Sequence, residues 1–397
     1  MTYRIAVIGT GADPEERDRE GYAMAYRHAP GYQRLEECTL VGCADIVPEN
    51  AAAFADRFDL DGVYTDHESL LREEAPDIVS VCVPPAVHAE IVVDCAEYGD
   101  VEAIHCEKPM ATKWGDCKEM IEACEAADVQ LTIDHQRRFS APVGRAKQLV
   151  DADKIGDLRR LEWSEVNLFD AGSHLFDLCD HFTDGGTPEW VLAGVDPDPD
   201  NRWFGALNEG QAIAQWEYSD GTQGFASTGE GDRETLVDAY LRLVGEDGCI
   251  EIQADDGSPL RIRTDGGWRT VDTGGETVYG PGQTTFQAAT NKIAGVVPGV
   301  SPPYDAGPTH YERAIEHLVT CLDHGREPLI SGKRVLRGTE LVFASWESAW
   351  RRERVSLPLD ISDNPLEALC TEKFGTSVDS EPDAPVDGQS PTRDPLD

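Results

Sequence analysis

Apolar positions follow two rhythms along this chain, and the change between them divides it. Up to about residue 135, short and nearly continuous apolar runs alternate with segments of helical periodicity. Tyr3 to Gly9, Leu40 to Asp45, Ile78 to Val83, a run ending at Cys106, and Leu131 to Asp134 predict strands. Pro48 to Phe58, His88 to Tyr98 and Lys113 to Ala127 predict helices between them. Strands apolar on both faces and separated by helices predict an α/β, doubly wound parallel sheet.

From about residue 156 the apolar period shortens to two. One helical stretch (170–182) precedes Gln211 to Tyr218 and Gln223 to Thr228, joined at Ser219-Asp-Gly-Thr222. Ala239 to Val244 and Cys249 to Ile252 repeat the pattern around Glu246-Asp-Gly248. Asp-Gly between alternating runs is a hairpin signal, so this half predicts a mostly antiparallel sheet. A Gly/Pro/Thr-rich stretch over 272–309 predicts a long loop of the kind that is often functional. Tyr311 to Asp323 and Val335 to Arg351 predict helices, and Val355 to Leu359 a short closing strand. Beyond Phe374 the chain is acidic and rich in Ser, Pro and Gly, which predicts disorder. The expected division is 1–135, 136–370 and a tail over 374–397.

Charge changes the picture. The 397 residues carry 75 Asp+Glu against 34 Lys+Arg, a formal net charge of −41. Such a surface repels nucleic acid and anionic membranes, so neither is expected as a partner. Because the acid is spread through segments with apolar periodicity, it predicts a folded protein adapted to high salt, where counterions screen self-repulsion. No apolar run reaches the length of a membrane span. The N-terminus shows no signal-peptide pattern, so a cytoplasmic location is expected. The 11 cysteines form no C-x-x-C pair, and several of them (Cys82, Cys95, Cys124 and Cys179) sit in apolar runs, which predicts buried reduced thiols.

Gly9-Thr10-Gly11 follows the first strand directly, as the phosphate turn of a dinucleotide-binding (Rossmann) domain requires. Pro14 stands where a third glycine belongs, and Asp45 lies beyond the usual motif spacing. An insertion over 14–20 resolves both departures: Gly21 becomes the third glycine and Asp45 the ribose ligand. A carboxylate there accepts from a ribose hydroxyl and repels a 2′-phosphate, which favours NAD, with NADP as the alternative.

Lys108, in Cys106-Glu107-Lys108-Pro109, is the first lysine in the chain. Hydride transfer at a carbinol carbon needs a base and a group that steadies the developing oxyanion. Lys108 suits the second role, although a surface ion pair with Glu107 also accounts for it. Asp170 and His174 are spaced i, i+4, which puts both on one helix face, where the carboxylate would raise the basicity of the imidazole. Helix capping by Asp170 and a packed His174 are the plainer alternatives. Asp177 is expected to orient the helix. No third ligand stands at metal spacing, so no metal is expected.

Gly9-x-Gly11, Asp45, Val83-Pro84-Pro85-x-x-His88, Glu107-Lys108-Pro109, Arg138-Phe139-x-x-Pro142 and Asp170-x-Gly172-x-His174-x-x-Asp177 together resemble the Gfo/Idh/MocA oxidoreductases over roughly residues 3–368. That resemblance implies a Rossmann domain followed by an α+β domain with a large open sheet, commonly used for homodimer or homotetramer contacts. It implies Lys108 on the substrate oxygen, His174 as acid/base, and Asp170 positioning both. It also implies Pro84, His88, Glu107 and Arg138 around the cofactor. The expected function is NAD(P)-dependent dehydrogenation of a sugar, polyol or related hydroxy compound. A cofactor-binding regulator and an NAD-dependent glycoside hydrolase are the alternatives. The short stretch between Gly156 and Asp170 departs from the family pattern and leaves the substrate unnamed.

Overall fold

Six parallel strands form the first half: β1 (Tyr3–Ile8), β2 (Cys38–Ala44), β3 (Gly62–Tyr64), β4 (Ile78–Val81), β5 (Ala103–Cys106) and β6 (Gln130–Ile133). The computed structural model describes residues 2–15, 23–229, 236–280 and 307–375. The strand order is β3-β2-β1-β4-β5-β6, so the winding reverses between β1 and β4, where sheets of this kind open a ligand crevice. Strands β4 and β5 are buried at every position, which is why their sequences show no polar alternation. Helices α1 (Ala25–Gln33), α2 (Pro48–Phe58), α3 (His67–Glu74), α4 (His88–Glu97) and α5 (Trp114–Ala126) fill the crossovers. Pro48 opens α2 in its first turn, where a missing N–H removes no helix bond. The Asp66 carboxylate caps α3 by accepting from the Ser69 amide. The edge strand β3 escaped the sequence reading because three residues are too few to show a period.

The second half begins with α6 (Ala141–Asp151), β7 (Leu158–Glu165) and α7 (Ser173–Phe182). It continues through β8 (Pro188–Trp203), β9 (Ala206–Tyr218), β10 (Gln223–Gly229), β11 (Ala239–Gly245), β12 (Cys249–Ala254), β13 (Leu260–Thr264) and β14 (Gly267–Thr270). It ends with α8 (His310–Asp323), α9 (Gly332–Arg351), β15 (Val355–Ser356) and α10 (Pro365–Phe374). The nine strands run in the order β14-β13-β12-β11-β7-β10-β9-β8-β15. All described pairings are antiparallel except β7 with β10. Both Asp-Gly hairpins form as expected; at the first, the Asp220 carboxylate accepts from the Thr222 amide at 2.8 Å. One sheet face carries the core. Trp163 and Trp216 meet Phe176 of α7 at centroid distances of 5.0 and 5.1 Å, and Trp346 of α9 packs on Phe169. The other face is laced with ion pairs, Arg242 with Glu251 and Glu162 among them.

Two expectations shift. The helix expected over 170–182 starts only at Ser173. An Asn167 turn comes first, with its side chain accepting from the Ala171 amide and its carbonyl from the Gly172 amide. The closing strand pairs only at Val355–Ser356. Of the long loop, residues 272–280 are described and 281–306 lie outside the described residues, as does the tail from 376. All eleven cysteines are free thiols, most of them buried. No described helix is long and apolar enough to cross a membrane.

Two buried ionic contacts tie the turn after β6 to α7. Arg138, in the turn after β6, grips Asp177 of α7 through two nitrogens, each at 2.6 Å. It also reaches Asp180 at 3.2 Å, which Arg337 of α9 holds from its other side. The Arg138 and Asp177 side chains are 1% and 2% exposed. Removing one partner strands a charge in the interior, so Arg138→Ala is expected to cost about 3–5 kcal/mol. Chemical denaturation at fixed salt measures this; a loss under about 1 kcal/mol would show that the pair does not hold that turn to α7.

Candidate functional site: a cleft at the strand ends

The turn Gly9-Thr10-Gly11 leaves β1 with φ of +82° at Gly9 and +66° at Gly11, a conformation natural to glycine. A Cβ on Gly9 would also lie 2.6 Å from Val83 Cγ1 and 2.8 Å from the Val83 nitrogen. Two requirements, of dihedral and of space, therefore fix this residue. Asp45, just past β2, closes on the turn: its Oδ2 accepts from the Gly11 amide at 2.9 Å and from the Thr10 hydroxyl at 3.1 Å. Beside it Ile46 is 89% exposed. At the edge of the expected insertion, Asp13 and Glu15 turn outward to Arg57 of α2. Gly21 and residues 16–20 lie outside the described residues.

The ends of β4, β5 and β6 bring the remaining groups to the same edge. Lys108 donates from Nζ to Asp170 Oδ1 at 2.7 Å and to the Asp170 carbonyl at 3.1 Å. Its side chain remains 19% exposed. Glu107 does not pair with it; the carboxylate turns inward to His28 Nε2 at 2.9 Å. His88 is buried, with ring nitrogens 2.8 Å from the Val83 carbonyl and 2.9 Å from the Pro109 carbonyl, so it splints the Pro84 turn to the turn carrying Lys108. Pro84 is exposed at the head of that first turn. Arg138 is committed to α7, as described above.

His174 is 2% exposed, and its Nδ1 lies 3.3 Å from His135 Nδ1. The sequence reading placed Asp170 beside it on one helix face as the group raising its basicity. Instead, Asp170 precedes the helix and pairs with Lys108. His174 is held well below the ordinary imidazole range, first by burial and then by the cations Arg137 and Lys108. His135 is lowered in the same way, by burial and then by Arg138 and Lys108.

Some of the neighbouring residues were not anticipated. His135 and Arg137 follow β6, and Arg137 donates to the Tyr240 hydroxyl while lying 5.1 Å from the Tyr279 ring centroid. The Asn208 side chain accepts from the Asp170 amide. The available signal was positional: His135 leaves β6 just as Lys108 leaves β5, and strand ends at a reversal of winding carry ligand contacts. Tyr240 and Asn208 lie on strands of the other sheet, and no local pattern connects them to this edge.

A dinucleotide fits this edge. The glycine turn, a carboxylate at the end of the next strand and an exposed apolar residue beside it present groups for phosphate, ribose and base in that order. Residues 3–135 match the model of Gfo/Idh/MocA, an oxidoreductase family with an NAD-binding Rossmann fold. The chain is 27% identical over 224 residues to an uncharacterized oxidoreductase of Streptococcus pneumoniae, covering 52% of this chain and 59% of that protein. It is 28% identical over 281 residues to a 2,7-anhydro-N-acetylneuraminate hydratase of Mediterraneibacter gnavus, covering 66% of this chain and 70% of the hydratase. A levoglucosan dehydrogenase, solved with NADH and levoglucosan, superposes with a TM-score of 0.70 at 18% identity over 90% of this chain and 100% of that one. Over residues 3–135 the chain is thus similar to the Gfo/Idh/MocA oxidoreductases, whose family model describes an NAD-binding Rossmann fold.

Proposed function

We propose that the chain is an NAD-dependent dehydrogenase acting on a CH–OH group of a sugar, polyol or related hydroxy compound. The observation that carries this reading is geometric: Lys108 at the end of β5 pairs with Asp170 in the turn that starts α7, and His174 of that helix meets His135 at the end of the neighbouring β6. Bound NAD would supply the hydride acceptor or donor. Gly9, Thr10 and Gly11 would hold its pyrophosphate and Asp45 its adenosine ribose. Lys108 Nζ, steadied by Asp170, would bind the substrate oxygen and stabilise negative charge there. His174 would take the hydroxyl proton in oxidation and return it in reduction. His135 would fix the orientation of that ring and is the nearest group to receive the proton.

The reading extends to partners and setting. The ion-paired face of the nine-stranded sheet, with Ile213 and Leu192 each 46% exposed, is proposed as a contact between copies of the chain. A cytoplasmic, high-salt setting is proposed on the eleven free thiols and the net charge of −41.

A panel of sugars, inositols and sugar acids in molar KCl, followed separately with NAD and NADP, tests the activity. Tight NAD binding with no turnover on any of them would favour a cofactor-binding regulator instead. His174→Ala is expected to lower turnover by about two to four decades, the usual contribution of a positioned base; near-normal turnover would remove His174 from that role. The pH dependence has a definite sign. A base must be neutral to act, and a pKa held below the ordinary value keeps it neutral as pH falls. Oxidation kcat/KM should therefore stay level from about pH 8 down to about pH 6.5, the ordinary imidazole midpoint. A half-maximal point at or above that pH would contradict the assignment. Asp45→Ala should relax the NAD/NADP preference by about tenfold or more, the size of a hydrogen bond to a charged group, and an unchanged ratio would refute the ribose role.

A further inference from the structure

Beneath the Glu107-Lys108 turn lies a buried cluster that the proposed chemistry does not use. His28 of α1, His105 of β5 and Asp134, just past β6, are each essentially inaccessible. Each presents a donor atom within 4.8 Å of the others. The hydrogen bonding around His105 fixes what lies between them. Thr132 Oγ1 donates its one hydrogen to the Ile104 carbonyl, so it must accept from His105 Nδ1, 2.9 Å away. In the neutral ring that leaves a lone pair on Nε2. That Nε2 faces Asp134 Oδ1 at 3.7 Å, and both atoms are buried without a hydrogen-bond partner. Asp134 Oδ2 is also without one, although His28 Nε2 lies 3.3 Å from it. His28 Nε2 faces the Glu107 carboxylate at 2.9 Å, while His105 Nε2 and the Asp134 oxygens remain unpartnered, an arrangement that is unfavourable in the interior unless something positive sits between them.

The geometry points to a divalent cation of the zinc class, held by His28 Nε2, His105 Nε2 and an Asp134 oxygen. The Glu107 carboxylate, 2.9 Å from His28 Nε2, is the nearest fourth donor. Donors around a tetrahedral ion at about 2.0–2.1 Å stand about 3.3–3.4 Å apart; here His28 Nε2 lies 3.3 Å from Asp134 Oδ2 and His105 Nε2 lies 3.7 Å from Asp134 Oδ1. Outer partners are also in place: His28 Nδ1 lies 2.7 Å from Ser80 Oγ, and His105 Nδ1 bonds Thr132. Ligating imidazoles are usually oriented in this way by a bond from the second nitrogen. Two imidazoles with carboxylates suit first-row divalent ions over magnesium or calcium. A site buried on all sides and closed by protein donors is structural. It ties α1 to the ends of β5 and β6, directly under the turn that carries Lys108.

The test uses the full chain in molar KCl, stripped with chelator, desalted and titrated with Co²⁺. The expected result is one Co²⁺ per chain with the intense visible bands of a tetrahedral site, displaced by Zn²⁺ and accompanied by a rise in Tm. His105→Gln and Asp134→Asn should each reduce retained metal at least tenfold while leaving far-UV circular dichroism unchanged. If either variant fails to fold, the wild-type cobalt spectrum decides alone. No stoichiometric uptake, or only the weak octahedral bands that surface carboxylates give, would overturn the site. Tetrahedral binding undiminished in both folded variants would overturn it equally.

Discussion

A single ion pair fixes the geometry of the cleft: Lys108 Nζ on Asp170 Oδ1 at 2.7 Å. Lys108 leaves the parallel sheet at the end of β5, and Asp170 lies in the turn that starts α7 against the other sheet. The contact therefore aims the ammonium at the turn that starts α7. It is partly open to solvent, so its own contribution to stability is small. Its position is imposed from below, where His88 splints the turn, Glu107 is anchored on His28, and Arg138 binds α7 into place. A partly exposed lysine on a well-supported turn can exchange a carboxylate partner for a substrate oxygen without moving its backbone.

The first half was legible because its strands are buried on both faces and leave continuous apolar runs. The predicted strands and the helix over Pro48–Phe58 correspond to described elements. The second half was legible where Asp-Gly turns join alternating strands. It was not legible in β8, whose Asp196-Pro-Asp-Pro-Asp-Asn201 segment reads as a loop. That segment is nonetheless carried in a long twisted hairpin whose register slips between Asp196 and Pro197 and again before Arg202. Such irregularities accommodate prolines that a regular ladder cannot.

In the site, motif spacing found Lys108, Asp170 and His174 but misread their relations. Spacing of i, i+4 implies one helix face only if both residues are helical, and the Asn167 turn delays the helix past Asp170. The imidazole consequently lost its expected carboxylate and gained burial and nearby cations, which lower its pKa rather than raise it. His28, His105 and Asp134 carry no local signal at all. They come from α1, β5 and the end of β6, and only the crossover topology brings them together.

Under the proposed function, Lys108 belongs to the chemistry more than to cofactor binding or folding. Lys108→Met keeps the aliphatic stem and removes the charge, and the two quantities to measure are its NAD dissociation constant and its turnover on the best substrate in the same salt. NAD affinity is expected within about threefold of wild type and turnover lower by about two decades or more, the usual effect of deleting one oxyanion-stabilising donor. Turnover close to wild type, or a loss explained wholly by weaker NAD binding, would contradict that role.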